Sequence, residues 1–139
     1  MKTAKKISTN NESINDAEKK LDFKYPESIR QMLLKRNGFY LADFKFFCVL
    51  DKEDIQHTFD DIVRENTNES AGIQNFIPKG YVAIATDEGL GFLVLNTQKD
   101  GKTYYWNNDL GELSIYAEND EQLITSLEKE EKEFTQNSK

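Results

Sequence analysis

YVAIATDEGLGFLVLNTQKDGKTYYWNNDLGELSIYA, residues 81–117, decides the fold. It holds four short runs rich in β-branched and aromatic residues: YVAIA (81–85), FLVLN (92–96), TYYWN (103–107) and ELSIYA (112–117). Each is shorter than an ordinary helix and reads as a strand. DEGLG, QKDGK and NDLG separate the runs, and each contains the glycine that a tight reversal needs. The four strands therefore form an antiparallel meander. Side chains alternate across a strand, so Tyr104 and Trp106 share one face and Tyr105 takes the other.

Upstream, FKFFCVL (44–50) is a fifth apolar and aromatic run, expected to be a mostly buried strand. Ahead of it, Pro26 suits the first position of a helix, and Ile29, Met32 and Leu33 repeat at helical spacing. Lys35 and Arg36 fall in the last turn, and Asn37-Gly38 supplies a left-handed stop, so the spacing predicts a helix over 26–36. Ser13 followed by Asp16 resembles a capping box, with Ile14, Ala17 and Leu21 on one stripe, which predicts a helix over 14–21. Phe59, Ile62 and Val63 predict a middle helix over 58–68. Downstream of the meander, Asp120 is placed to cap a helix over 120–133 whose apolar residues are Leu123, Ile124 and Leu127. Helices first, strands grouped later and a closing helix spell an α+β single domain with an antiparallel-rich sheet. Its expected limits are 12–134, with flexible termini at 1–11 and 135–139.

At 139 residues the chain is long enough to bury roughly 68% of the surface its unfolded form exposes. No window approaches the length needed to cross a bilayer, and MKTAKKISTNNES has no apolar stretch behind its lysines, so a cytoplasmic protein with no membrane partner is expected. The single cysteine, Cys48, agrees with a reducing compartment. Net charge is −7, unevenly spread: residues 1–36 hold nine Lys/Arg against five Asp/Glu, residues 37–139 nine against twenty. Two stretches carry nearly all the acidity, 43–69 with eight acids and three bases and 87–121 with eight and two. A field of that sign repels a phosphate backbone and attracts a cationic partner, which argues against nucleic-acid binding.

Catalytic and ligand chemistries find little support. EGLG opens onto a strand rather than a helix and lacks a Lys-Ser/Thr pair, so it is neither a phosphate loop nor a dinucleotide fingerprint. Asp87-Glu88 and NNDLGE (107–112) contain only fragments of a calcium-loop spacing. One histidine, His57, and one cysteine build no zinc site, and Cys48 stands between Phe47 and Val49 in apolar surroundings that suit an inert thiol. Asp60 and Asp61 are adjacent on the expected helix and point apart. No cofactor, metal or enzymatic activity is expected. Trp106 beside acidic turns would make an interaction anchor, although a lone tryptophan is more often core.

The order of these segments resembles the SUKH superfamily, the domain type of the fungal cell-wall glucan synthesis regulators. The resemblance runs from about residue 12 to 130. Its N-terminal part rests on Glu18, Leu21, Phe23, Pro26, Leu33, Leu34, Asn37 and Gly38; its later part rests on Pro78, Ile84, Ala85, Gly91, Tyr104 and Trp106. Many members carry Asp or Asn after the glycine aligned to Gly91, where this chain has Phe92. The resemblance implies a non-enzymatic binding module. For a stand-alone chain of this size it implies an immunity protein that neutralises a bacterial toxin, frequently a nuclease, with a regulatory scaffold lacking a toxin partner as the alternative. The acidic stretches are the expected contact surface for a cationic toxin domain, with Asp60, Asp61, Glu65, Asp87, Glu88, Trp106, Asp109 and Glu112 as candidate partner-binding residues. Oligomeric state stays open.

Overall fold

The computed structural model describes residues 9–51, 61–67, 72–88 and 90–137, the side chains of 134–137 excepted. The chain folds as α1 (Asn11–Leu21), α2 (Glu27–Lys35), β1 (Tyr40–Leu41), β2 (Phe44–Phe46), α3 (Ile62–Thr67), a 3-10 turn (Ile73–Asn75), β3 (Tyr81–Thr86), β4 (Gly91–Asn96), β5 (Thr103–Asn107), β6 (Glu112–Ala117) and α4 (Asp120–Asn137). It is an α+β single domain whose six strands pair antiparallel in sequence order.

The meander forms as the sequence predicts, and its register sorts the side chains into faces. Leu93 pairs with Tyr105, which pairs in turn with Ser114; Phe92 pairs with Trp106, which pairs in turn with Leu113. Directly paired residues share a face. Phe44 and Phe46 of β2 lie on the Tyr105 side, where Phe44 meets the rings of Tyr105 and Tyr116 edge-on at 6.4 and 5.9 Å. Since β2 and β6 are far apart in strand order, those contacts require the sheet to curl over this face. Helix α4 fills the concavity. Its Leu123 and Leu127 are fully buried, Glu130 accepts a hydrogen bond from the Tyr116 hydroxyl at 2.6 Å, and Glu131 accepts one from the Ala42 N–H.

Helices α1 and α2 are held together by a buried ion pair. Arg30 Nη2 donates to Glu18 Oε1 at 2.6 Å, Arg30 Nη1 donates to Asn11 Oδ1 at 3.1 Å, and the Tyr25 N–H donates to Glu18 Oε2 at 2.7 Å. Both carboxylate oxygens are thus used, which is the condition under which a buried pair repays its desolvation. Ile14, Ala17 and Leu21 of α1 and Ile29 and Leu33 of α2 complete that part of the core.

Several local expectations need correction. The run 44–50 is not one strand: β2 ends at Phe46, and β1 precedes it as a short hairpin partner. Beyond Phe46 the backbone leaves the regular ladder. Phe47 N–H donates to Ile84 O, and Cys48 bridges Asp61 in parallel. The middle helix does not include Asp61; it starts at Ile62, and residues 58–60 and 68 lie outside the described residues. Helix α1 is capped not by a Ser13/Asp16 box but by Asn10, whose side chain accepts from Ser13 N–H at 2.8 Å, while Asp16 pairs with Lys20 at 3.1 Å. Asn119, not Asp120, caps α4 by accepting from Gln122 N–H at 2.8 Å. The Asp120 carboxylate instead accepts from the backbone N–H of Ser28 at 3.0 Å and from its hydroxyl, joining the starts of α2 and α4.

The Asn37-Gly38 stop does more than end α2. Gly38 has φ +74, as expected. A Cβ there would stand 3.2 Å from Cys48 Cβ, so the glycine also admits a close crossing of chain segments. Asn37 is fully buried, and its amide donates to Val49 O at 2.8 Å and accepts from Val49 N–H at 2.7 Å.

Candidate functional site

A meander places alternate turns at the same end of its sheet. The β1–β2, β3–β4 and β5–β6 connections therefore share one end, because Lys45 pairs with Thr86 and Gly91 pairs with Asn107. Two of these turns abut directly: Asn108 N–H donates to Leu90 O at 3.0 Å. Asn107 stiffens the second turn, its side chain accepting from Leu110 N–H at 2.9 Å and its carbonyl from Gly111 N–H at 2.9 Å.

The chemistry gathered there is acidic and apolar. Asp87, Glu88, Asp109 and Glu112 stand in or beside the two turns, and residues 87–91 and 107–112 contain no Lys or Arg. Asp43 of the β1–β2 turn adds another exposed acid to this end. Between the acids, Leu90 and Leu110 are 60% and 67% exposed. Apolar side chains that open to water in turns that also carry acids are a surface made for contact rather than for folding. Lys45, paired with Thr86, stands near this end, while Lys99 and Lys102 lie at the other end of the sheet, where Lys99 pairs with Asp22 at 2.8 Å and Lys102 with Glu118 at 3.7 Å.

Tyr105 and Gly91 build the acidic end from below. The Tyr105 hydroxyl donates to Asp87 Oδ2 at 2.8 Å, so the ring must cross β4 at Gly91. A Cβ on Gly91 would lie 2.3 Å from Trp106 O and 2.4 Å from Tyr105 Oη, closer than any side chain tolerates. Gly91 is therefore explained by a ring lying across it, not by a ligand. Burial, the Asp87 hydrogen bond and that carboxylate's charge push the Tyr105 hydroxyl up to about 12. Glu88 adopts φ 59, a left-handed conformation that costs a non-glycine residue roughly 1–2 kcal/mol.

Five of the sequence-predicted residues thus meet at one end: Asp87, Glu88, Trp106, Asp109 and Glu112. Glu88, Asp109 and Glu112 are exposed, Asp87 is held by Tyr105, and Trp106 is half-buried, paired with Phe92 and Leu113. Phe92 thereby joins an aromatic row on the sheet's other face. Two predicted residues stand elsewhere. Asp61 is 6% exposed and caps α3, its Oδ1 accepting from Val63 N–H at 2.9 Å and Arg64 N–H at 3.1 Å. Glu65 is half-buried on α3. Asp60 lies outside the described residues. Sequence reasoning missed Leu90 and Leu110, for which two leucines between glycines and acids in turns were the available signal.

Cys48 is buried at 5% exposure; His57 lies outside the described residues. No helix among the described residues is long and apolar enough to cross a membrane. No curated protein matches the chain significantly. A model of the SMI1 / KNR4 family (SUKH-1) matches residues 8–126, a span that holds both the Glu18 to Gly38 segment and the whole meander, and the chain belongs to that family.

Proposed function

We propose that this chain is an immunity protein: a non-enzymatic cytoplasmic module that binds a cognate bacterial toxin domain and blocks it. The observation that carries this reading is the meander's acidic end, where the exposed Glu88, Asp109 and Glu112 share two abutting turns with the exposed Leu90 and Leu110, and neither turn contains Lys or Arg. A nuclease presents a cationic channel for phosphates, and a surface of this kind occupies it by charge and anchors in it by the two leucines. The carboxylates raise the association rate, and the leucines slow dissociation.

Co-purification with the candidate toxin domain and titration of its activity test the reading. Inhibition should reach completion near one equivalent, with an association rate that falls steeply as salt is raised. A toxin left fully active by excess protein removes the immunity reading for that pair and favours a regulatory scaffold. Tight binding that ignores salt leaves the function standing and removes the acidic mechanism.

A further inference from the structure

The two edges of the sheet are treated differently. At one edge β1 is only two residues long, and the Ala42 N–H that follows it is taken by Glu131 of α4. The other edge is β6, six residues long, with Glu112 as its only charge and neither lysine nor proline within it. Among the described residues, the backbone of 112–117 makes no hydrogen bond to any element but β5. Soluble proteins normally blunt such an edge, because its free N–H and C=O groups invite another strand. Ser114, on the face that α4 covers, is exposed, and Ile115, on the opposite face, is 49% exposed, so side chains on both faces of the edge strand meet solvent.

From this edge we infer that β6 is a docking strand that takes an extended cationic segment of the partner protein as a seventh strand. The inference rests on reading the chain as a protein-binding module, and it names how the partner is held. Acids flank both ends of β6: Asp109 and Glu112 at its start, Glu118 and Glu121 after its end, with Lys102 at 3.7 Å from Glu118 as the nearby cation. A second copy is a poor occupant, since antiparallel self-pairing sets Glu112 of one copy beside the Glu118 end of the other. A basic strand meets opposite charge at both ends. The row of Leu113 and Ile115, continued by Trp106 and Tyr104 on β5, offers an apolar face to every second residue of the incoming strand. The partner segment should therefore alternate basic and apolar residues.

The full chain, isotope-labelled for amide NMR, would be titrated with a capped synthetic peptide alternating lysine and valine. A second peptide, identical but N-methylated at alternate amides, keeps the charge and removes the strand's donors. Expected are shifts concentrated on 112–117, with binding at least about tenfold weaker for the N-methylated peptide and for the Ile115→Lys variant. Equal binding of both peptides, shifts confined to the turns around Glu88 and Asp109, or no shift in β6 overturns the proposal. So does a β6-mediated homodimer in sedimentation. If Ile115→Lys still neutralises a toxin at wild-type strength, strand addition falls while the immunity reading survives.

Discussion

The side-chain amide of Asn66 hydrogen-bonds both backbone groups of Ala83, donating to its carbonyl and accepting from its N–H at 2.9 Å each. Asn66 is fully buried on α3, and its amide nitrogen also donates to Ile62 O at 2.8 Å. It stands on the side of β3 away from β4, past the point where β2 ends, and replaces the missing strand's peptide group. Asn37 does the same for Val49. Two asparagines thus satisfy backbone groups that no strand pairs, and through Asn66 helix α3 fixes the position of β3.

Replacing Asn66 with alanine leaves the N–H and C=O of Ala83 buried without partners. At about 1–3 kcal/mol for each unsatisfied group, the variant should lose about 3 kcal/mol, read as a lower urea midpoint with an unchanged slope. A loss under about 0.5 kcal/mol would mean that water reaches Ala83 and that Asn66 is not holding β3.

Gly91→Ala forces a methyl group against Trp106 O and the Tyr105 ring. Backbone does not yield cheaply, so the expected cost is about 3 kcal/mol, and Tyr105→Ala in the same chain should recover part of it by vacating the ring. If the double variant is no better than the two losses added, the ring is not what excludes a side chain at residue 91.

Alkaline stability should depend on Tyr105. Its hydroxyl is raised from 10.0 to about 12, so folding favours the protonated form. The resulting stabilisation is fully present below pH 10 and is lost as pH rises through about 12. Denaturant midpoints measured across that window should fall more steeply in wild type than in Tyr105→Phe. Parallel curves would show that the Asp87 hydrogen bond contributes no pH-dependent stability.

The meander was legible because each of its features is local: apolar runs of strand length, reversals with glycine, and alternation that separates Tyr105 from Trp106. The family resemblance was legible from Glu18, Asn37, Gly38 and Gly91, but their tertiary partners were not. Each meets its partner across a tertiary contact: Arg30, Val49, Cys48 and the Tyr105 ring. The run 44–50 misled because a buried irregular segment and a buried strand have the same apolar composition. Asp61 misled for a different reason. An acid directly ahead of Ile62-Val63 is also an N-cap signal, and the structure uses it as one. The clustering of Asp87, Glu88, Asp109 and Glu112 follows from meander topology alone; the exposure of Leu90 and Leu110 needed the turns in three dimensions.

The central claim, that the acidic end binds the toxin, is tested most directly by charge reversal at its exposed carboxylates. A variant carrying Glu88→Lys, Asp109→Lys and Glu112→Lys keeps Asp87 and its Tyr105 hydrogen bond, so its melting temperature should stay close to wild type. Titrated against the purified candidate toxin domain, wild type should silence it near one equivalent, whereas the variant should need at least about a hundredfold more, chiefly through slower association. Undiminished neutralisation by the folded variant would contradict the account.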